Sequence, residues 1–208
     1  MKAFLLLLAA AVPAYVIGGV NGAIITGRVL YRKDIRKFGS GNPGLTNFYR
    51  VFGKNGIILV IAIDVFKTIA PVLFGGWLFQ RFYDMTLFGR AVSGLFVVLG
   101  HCFPVFYEFK GGKGIMAAGA ILFFLDWRMA VISWATFILV TALTRFVSLG
   151  SILGTATFPV TLLIFQLGGF FEFTAVLLCA LLLIARHQAN IKRLIKGEES
   201  RFDFKRKK

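Results

Sequence analysis

Cysteine, histidine and acidic residues are scarce in this chain of 208 residues, which contains two Cys, two His and nine Asp and Glu. Cys102 and Cys179 both lie among apolar residues. The sequence therefore holds no disulfide framework and no cysteine-based metal motif. We expect both thiols to be small buried hydrophobic groups, and we expect no metal and no cofactor.

The shortage of acidic residues leaves a net charge of +15, because 24 Lys and Arg face nine Asp and Glu. In a soluble protein such an excess would favour nucleic-acid binding. Here 58% of the residues are hydrophobic and the mean hydropathy is +0.79, and the cytoplasmic loops of membrane proteins collect Lys and Arg anyway. We predict a protein of the lipid bilayer with no nucleic-acid partner, since its aromatic residues do not alternate with cations as base stacking requires.

Charge is absent from residues 3–27. The start of the chain resembles a secretory signal peptide, with Lys2 ahead of an apolar run. However, the uncharged run is long enough to cross a bilayer, and no small-residue cleavage site is followed by a polar mature start. We interpret it as the first transmembrane helix.

Hydropathy predicts six clear membrane spans. They cover residues 4–25, 56–74, 87–106, 129–143, 149–166 and 170–185. A seventh candidate, residues 115–125, has only eleven residues, which rise about 16 Å, roughly half the thickness of the hydrocarbon layer.

The distribution of cations indicates that this short helix also crosses. Nineteen of the 24 Lys and Arg lie in residues 28–54, 110–113, 145 and 186–208. If the short helix crosses, all nineteen fall on one face, which the positive-inside rule makes cytoplasmic. We predict an all-α polytopic protein, a single domain of residues 1–208 with seven transmembrane helices, its amino terminus outside and its carboxyl terminus in the cytoplasm. Residues 200–208 form a basic tail, and its last four residues, 205–208, are expected to lie against anionic headgroups.

Three polar segments interrupt the apolar sequence: residues 39–50, 100–114 and 185–199. Each combines glycine, amide or hydroxyl groups with cations, as phosphate binding requires. Because the short helix is only about half as long as the hydrocarbon layer is thick, part of the second polar segment must lie below the membrane surface. Irregular backbone at such depth is tolerated only against protein or a wet cavity, and we expect it to form a wall of the active site.

The first polar segment places three glycines around an Asn-Pro pair. Glycines let backbone N–H groups turn towards an anion, and neighbouring side chains add donors. The alternative is an ordinary turn between helices. The candidate phosphate-binding residues are Ser40, Gly41, Asn42, Gly44, Thr46, Asn47 and Arg50.

The second polar segment ends in Lys110, Gly111, Gly112, Lys113 and Gly114. It is not a P-loop, because that motif needs Ser or Thr after its lysine. Free N–H groups and a lysine at the start of a helix can still bind an anion. His101, at the other end of the segment, is expected to be a packed or capping histidine.

The third polar segment places His187 and Asn190 on one helical face, flanked by Arg186 and Arg193. Imidazole is the usual proton acceptor near neutral pH, and nearby cations keep it neutral. A catalytic and a purely structural histidine both remain open from this pattern.

Asp64 and Lys67 are three residues apart within a predicted span. Charges inside a membrane are costly and are candidates for function. Their spacing favours the alternative, a structural ion pair.

Together the motifs resemble one family. The patterns are GSGNPGxTN at residues 39–47, GHxFPxFxxFKGGKG at 100–114 and RHxxNIxRL at 186–194, and TRFVSLGS at 144–151 is similar as well. The chain resembles, from end to end, the bacterial membrane acyl-phosphate:glycerol-3-phosphate 1-acyltransferases. One departure is Leu45, where the family usually carries Ala.

This resemblance implies a seven-helix protein of the bacterial inner membrane with its site facing the cytoplasm. Its substrates would be acyl phosphate and glycerol 3-phosphate, its products lysophosphatidic acid and inorganic phosphate, in the first acylation step of phospholipid synthesis. Neither acyl-CoA nor acyl carrier protein would be the direct donor. Acyl phosphate carries a good leaving group, so the 1-hydroxyl of glycerol 3-phosphate can attack directly without an acyl-enzyme.

The proton would pass either to His187 or to the phosphate of the substrate itself. The absence of a His-x4-Asp motif favours the second route slightly. By similarity, the catalytic candidates are His187, Asn190 and Lys110. One phosphate site would be the first polar segment and the other would include Arg50, Lys110 and Ser148. The further substrate-binding candidates are Gly111, Gly112, Lys113 and Arg145.

A transporter or channel for an organic phosphate is the main alternative, since helices around a basic cavity can move anions. The chain shows no inverted repeat, and its polar groups cluster on one face. The sequence leaves the oligomeric state and the acyl-chain preference open.

Overall fold

The computed structural model describes residues 1–203, and over these residues it is all-helical. Two short 3₁₀ turns lie at Ile35–Lys37 and Val105–Tyr107. The predicted lipid contact of residues 205–208 lies outside the described residues. The helices are α1 Lys2–Gly18, α2 Gly22–Tyr31, α3 Leu45–Phe52, α4 Ile57–Tyr83, α5 Thr86–Cys102, α6 Ile115–Leu125, α7 Trp127–Thr144, α8 Val147–Ile164, α9 Phe170–Ala185 and α10 Gln188–Ile195.

Five stretches of this described chain are long and apolar enough to cross a membrane. They are Lys2–Tyr31, Ile57–Tyr83, Thr86–Tyr107, Trp127–Thr144 and Val147–Ile164. The α9–α10 pair, bent by 55°, would make a sixth. The predicted bounds of α6 and α9 coincide with the observed ones. The prediction of seven transmembrane helices and the predicted orientation of the termini remain predictions.

The first span is not the continuous helix that its hydropathy suggests. Helix α1 ends at Gly18 and α2 begins at Gly22. Asn21 caps α2, because its Oδ1 accepts a hydrogen bond from the N–H of Ile24 at 2.9 Å, while its Nδ2 donates to the carbonyl of Pro43 at 3.1 Å. A buried amide that bonds both to a helix start and to the first polar segment explains the break, which hydropathy cannot register.

Small residues let the long helices pack closely. A Cβ on Gly89 would overlap the carbonyl oxygen of Gly75, and one on Gly100 would overlap that of Tyr15. Helix α5 therefore lies directly against the backbones of α4 and α1, as small residues permit in membrane proteins. A core of buried apolar side chains joins α4 to α9.

The helix ends bring all three polar segments to one end of the bundle. Ser40, Gly114 and Arg186, one from each polar segment, line the same cavity, and so does Ser148. Gly114 precedes α6, Ser148 lies at the start of α8 and Arg186 follows α9. Helix α6 therefore leads away from the cavity and α7 returns to it, despite the shortness of α6. This is the arrangement on which the predicted clustering of cations depends.

Candidate active site

A cavity of about 930 Å³ lies between the three polar segments and the start of α8. Most of the predicted site residues meet there. Gly112 and Arg145 do not line it. Those that do are Ser40, Gly41, Asn42, Gly44, Thr46, Asn47, Arg50, Lys110, Gly111, Lys113, Ser148, His187 and Asn190.

The two exceptions lie just outside the cavity. The N–H of Gly112 donates to the carbonyl of His101 at 3.1 Å, and its own carbonyl accepts from Nε of Arg186 at 3.3 Å. Arg145 is exposed at the end of α7, where its carbonyl accepts from the N–H of Phe202 at 2.7 Å. Gly112 thus supports the cavity wall from behind, and Arg145 binds the C-terminal segment through its backbone.

The first polar segment is closed by Asn47. Its Oδ1 accepts from the N–H of Ser40 at 2.9 Å, and its Nδ2 donates to the carbonyl of Phe38 at 3.0 Å. Gly39 and Gly41 have φ of 60° and 72°, a region that favours glycine. Because both ends of its amide are engaged, Asn47 shapes the loop and leaves the other donors of this segment to face the cavity.

The two lysines of the second polar segment differ in position. Lys110 is exposed at the rim, and its ammonium pairs with Glu108 at 2.9 Å. Lys113 lies deeper and donates to Oδ1 of Asn190. The sequence predicted Lys110 as a catalytic candidate. Of the two lysines, however, it is Lys113 that contacts another predicted site residue, Asn190.

Lys113 has a pKa only slightly above neutral pH. Burial lowers the pKa of Lys113 to about 8, assisted by the nearby Arg193, Arg186 and Arg50, while Glu199 raises it. The lysine is therefore still an ammonium at neutral pH and loses its proton in mildly alkaline solution.

His187 lies buried between α9 and α10, outside both helices. Its Nδ1 is 2.8 Å from the carbonyl oxygen of Leu183. A carbonyl only accepts, so Nδ1 carries the proton and Nε2 of the neutral ring is left as an acceptor. Burial lowers the pKa of His187 to about 4, so the ring is neutral at physiological pH.

Glu199 is a cavity residue that the sequence interpretation missed. Its carboxylate accepts hydrogen bonds of 2.7 Å each from Ser148, Asn190 and Arg193. Burial raises the pKa of Glu199, but these three bonds outweigh it and hold the pKa below its ordinary value. The available signal was the pair of carboxylates, Glu198 and Glu199, at the end of an otherwise cationic segment.

We expect Glu199→Gln to lower the unfolding temperature in detergent by a few degrees at pH 7. The amide keeps an acceptor for Ser148 but turns an NH₂ group towards a donor of Arg193. Because the pKa of Glu199 is lower in the folded state, its stabilisation is present at neutral pH and is lost as the pH falls. The difference between the two proteins should therefore shrink in acid, as thermal unfolding at pH 4 and pH 7 would show. The exposed neighbour provides the control, Glu198→Gln, and equal unfolding temperatures for both variants would contradict the assignment.

One wall of the cavity is apolar. Ring and aliphatic side chains from the starts of α6 and α8 and from α7 lie beside the cations. They are Ile115, Met116, Trp134, Phe137 and Val147. The cavity thus combines cationic, hydroxyl and amide donors with a surface suited to a hydrocarbon chain.

The expected ion pair between Asp64 and Lys67 is present. Nζ of Lys67 lies 2.8 Å from Oδ1 of Asp64, and both side chains are buried. His101 is also buried, as expected of a packed histidine. The pair contacts this histidine at the cavity wall.

A sequence model of the glycerol-3-phosphate acyltransferases matches residues 8–197. The chain belongs to the glycerol-3-phosphate acyltransferase family. The glycerol-3-phosphate acyltransferase of Thermoanaerobacter pseudethanolicus is 40% identical over 196 residues, which cover 94% of this chain and 95% of the relative. That of Ralstonia pickettii is 39% identical over 198 residues, covering 95% and 94%.

Solved structures agree with this family membership. The chain is similar to PlsY (YgiH), an integral membrane glycerol 3-phosphate acyltransferase, in its glycerol 3-phosphate form, with a TM-score of 0.85, 31% identity and 95% and 96% of the two chains covered. The lysophosphatidic acid form of PlsY gives a TM-score of 0.80 and 30% identity, with 95% of each chain covered. The prediction of a multi-pass, all-helical acyltransferase is confirmed, and the family membership weighs against the transporter alternative.

Proposed function

We propose that this glycerol-3-phosphate acyltransferase takes its acyl group from an acyl phosphate and attaches it to the 1-hydroxyl of glycerol 3-phosphate. The products are lysophosphatidic acid and inorganic phosphate. One observation carries the proposal: a single cavity is lined by two groups of anion-binding donors and by apolar side chains. Two phosphate-bearing substrates, one with a hydrocarbon tail, match these features.

The donors form two groups. The first polar segment contributes backbone N–H groups and hydroxyls near Ser40 and Thr46, at the start of α3, where the helix dipole also favours an anion. The second group consists of Lys113, Ser148 and Arg193, whose side chains lie around Glu199. A substrate phosphate in this second group would replace the Glu199 carboxylate as the acceptor.

The reaction needs no acyl-enzyme. The hydroxyl oxygen of glycerol 3-phosphate bonds to the acyl carbon, the bond from that carbon to the phosphate oxygen breaks, and phosphate leaves. Lys113 and nearby N–H groups stabilise the developing negative charge. The hydroxyl proton passes to Nε2 of His187, which is neutral and unprotonated, or to the departing phosphate.

We place the cavity on the cytoplasmic side of the bacterial inner membrane, in a single domain with seven spans. The clustering of the cationic segments around one end of the bundle supports this orientation. A reporter fused after Asp126, in the connection between α6 and α7, should lie outside the cytoplasm. A cytoplasmic reporter at that position would overturn the topology.

The test of the reaction is phosphate release from palmitoyl phosphate by the purified protein in detergent. Release should require glycerol 3-phosphate, with an equal amount of lysophosphatidic acid formed, and plain glycerol should replace it poorly because it lacks the phosphate. Acyl transfer from acyl-CoA or from the acylated acyl carrier protein, with no phosphate released from palmitoyl phosphate, would refute the acyl phosphate donor. Uptake of glycerol 3-phosphate into liposomes without phosphate release would instead indicate a transporter.

A further inference from the structure

A buried cluster of Asp64, Lys67 and His101 lies at the inner wall of the cavity. The ammonium of Lys67 is 2.8 Å from Oδ1 of Asp64, 2.7 Å from Nδ1 of His101 and 2.5 Å from the carbonyl oxygen of Val20. These three acceptors match the three N–H bonds of an ammonium. The cluster joins α4, α5 and the break in the first span.

Part of this arrangement has a structural explanation. The break between α1 and α2 frees backbone groups, which cannot be left unpaired inside a membrane. Lys67 donates to the carbonyl of Val20, and Asp64 accepts from the N–H of Gly22 at 3.1 Å. The ion pair therefore provides hydrogen-bond partners for the backbone groups at the break. That role does not require a histidine.

The contact with Lys67 decides which nitrogen of His101 carries the proton. Because an ammonium can only donate, Nδ1 of His101 must accept. The neutral ring then bears its proton on Nε2. Asp64 holds Lys67 in place and so fixes the tautomer indirectly.

Nε2 of His101 lies where the cavity wall meets the second polar segment. A Cβ on Gly112 would overlap Nε2, and the N–H of Gly112 donates to the carbonyl of His101 at 3.1 Å. The residue is only 3% exposed, and within residues 1–203 Nε2 has no hydrogen-bond partner. An N–H donor without a hydrogen-bond partner, carried by a buried residue at the wall of a cavity that Lys113 and Arg186 also line, is suited to an anionic oxygen.

We propose that His101 donates its Nε2–H to a phosphate oxygen of a bound substrate, and that Asp64 and Lys67 are positioning residues that set this tautomer. The inference rests on the proposed function, which supplies two substrates bearing phosphate.

Two amide substitutions separate this role from a structural one. In His101→Gln the amide nitrogen can reach the place of Nε2, whereas in His101→Asn it reaches only the place of Nδ1. We expect the Asn variant to raise KM for one phosphate substrate about tenfold or more, the loss of one hydrogen bond to a charged group, and the Gln variant to stay within a few-fold of wild type. Measuring KM separately for glycerol 3-phosphate and palmitoyl phosphate shows which phosphate is bound. An Asn variant as active as the Gln variant would leave His101 as a mere acceptor for Lys67 and overturn the proposal.

The positioning role is tested with the charge-neutral double variant Asp64→Asn, Lys67→Met, which leaves no buried charge unpaired. In the wild-type background it should raise the same KM. In the His101→Gln background it should add little, because residues that act through one group are not additive. An equal further loss in both backgrounds would mean that the pair only stabilises the fold. If the double variant does not fold, the two His101 variants still decide whether Nε2 matters.

Failure of the proposed function gives a different result. That failure appears in the wild-type protein, as absence of phosphate release from palmitoyl phosphate. Binding of glycerol 3-phosphate and of inorganic phosphate, measured by calorimetry in detergent on the same variants, does not depend on the acyl donor. Equal phosphate affinity in the wild type and the Asn variant would refute the role of His101 even if acyl transfer proceeds.

Discussion

Replacing Lys113 with Met is expected to lower kcat/KM for acyl transfer about a hundredfold or more. Lys113 lines the cavity, where it bonds to Asn190 and lies close to Glu199 and three arginines. Met has a side chain of similar length but lacks the positive charge that would stabilise the negative charge developing on the departing phosphate. Removal of a single preorganised donor in an active site typically has an effect of this size. Initial rates of phosphate release across both substrate concentrations provide the measurement.

The matched control is Lys192→Met, which removes another cation from the same region. Lys192 is exposed on α10 and does not line the cavity, so its loss should change kcat/KM little. Similar losses in both variants would mean that net charge, rather than the position of Lys113, is responsible.

The pH profile tests Lys113 independently. With a pKa of about 8, the ammonium is present below that pH and is lost above it. Activity of the wild type should therefore fall as the pH rises through about 8. A Lys113→Arg variant, even if slower, should lose this alkaline fall, because guanidinium stays charged.

Replacing His187 with Ala is expected to lower kcat about a hundredfold or more, the usual contribution of a general base. The ring is neutral, its Nδ1–H is held by the carbonyl of Leu183, and Nε2 is free to accept the proton of the attacking hydroxyl. Because its pKa is about 4, the rate should show no acidic fall from this group between about pH 6 and 7. Single-turnover rates would separate the chemical step from product release.

Retention of most activity by His187→Ala at every pH would remove His187 as the base and leave the substrate phosphate as proton acceptor. His187→Gln serves as the comparison, since its amide can position the hydroxyl without accepting a proton at ordinary pH. Activity restored in the Gln variant alone would indicate that His187 positions the nucleophile.

The elements that the sequence predicted well are those fixed by local composition. Helices α6 and α9 begin and end where hydropathy placed them, because polar or glycine residues border each apolar run. The first span is present as predicted, but its helix is interrupted before Gly22, next to Asn21, whose amide donates to the carbonyl of Pro43 further along the chain. Window-averaged hydropathy cannot see such a contact.

The candidate site shows the same division. Motif spacing selected Ser40, Lys113 and His187 correctly as residues of one cavity, because the polar segments follow helices that return to the same end. It could not distinguish Lys113 from the exposed Lys110, and it missed Glu199. Those differences depend on burial and on partners that are brought together only by folding.

By itself the sequence determined that this protein is a helical membrane protein, that its polar segments carry the residue types that bind phosphate, and to which family it is similar. Composition suffices there, since apolar length decides which segments enter the bilayer and residue type decides which groups can bind phosphate. The tertiary structure alone decided that Glu199 sits among the donors of the second group and that Lys67 holds His101. The tautomer of a histidine and the pKa of a lysine are set by neighbouring groups within a few ångströms. The order of residues in the sequence does not show which groups those are.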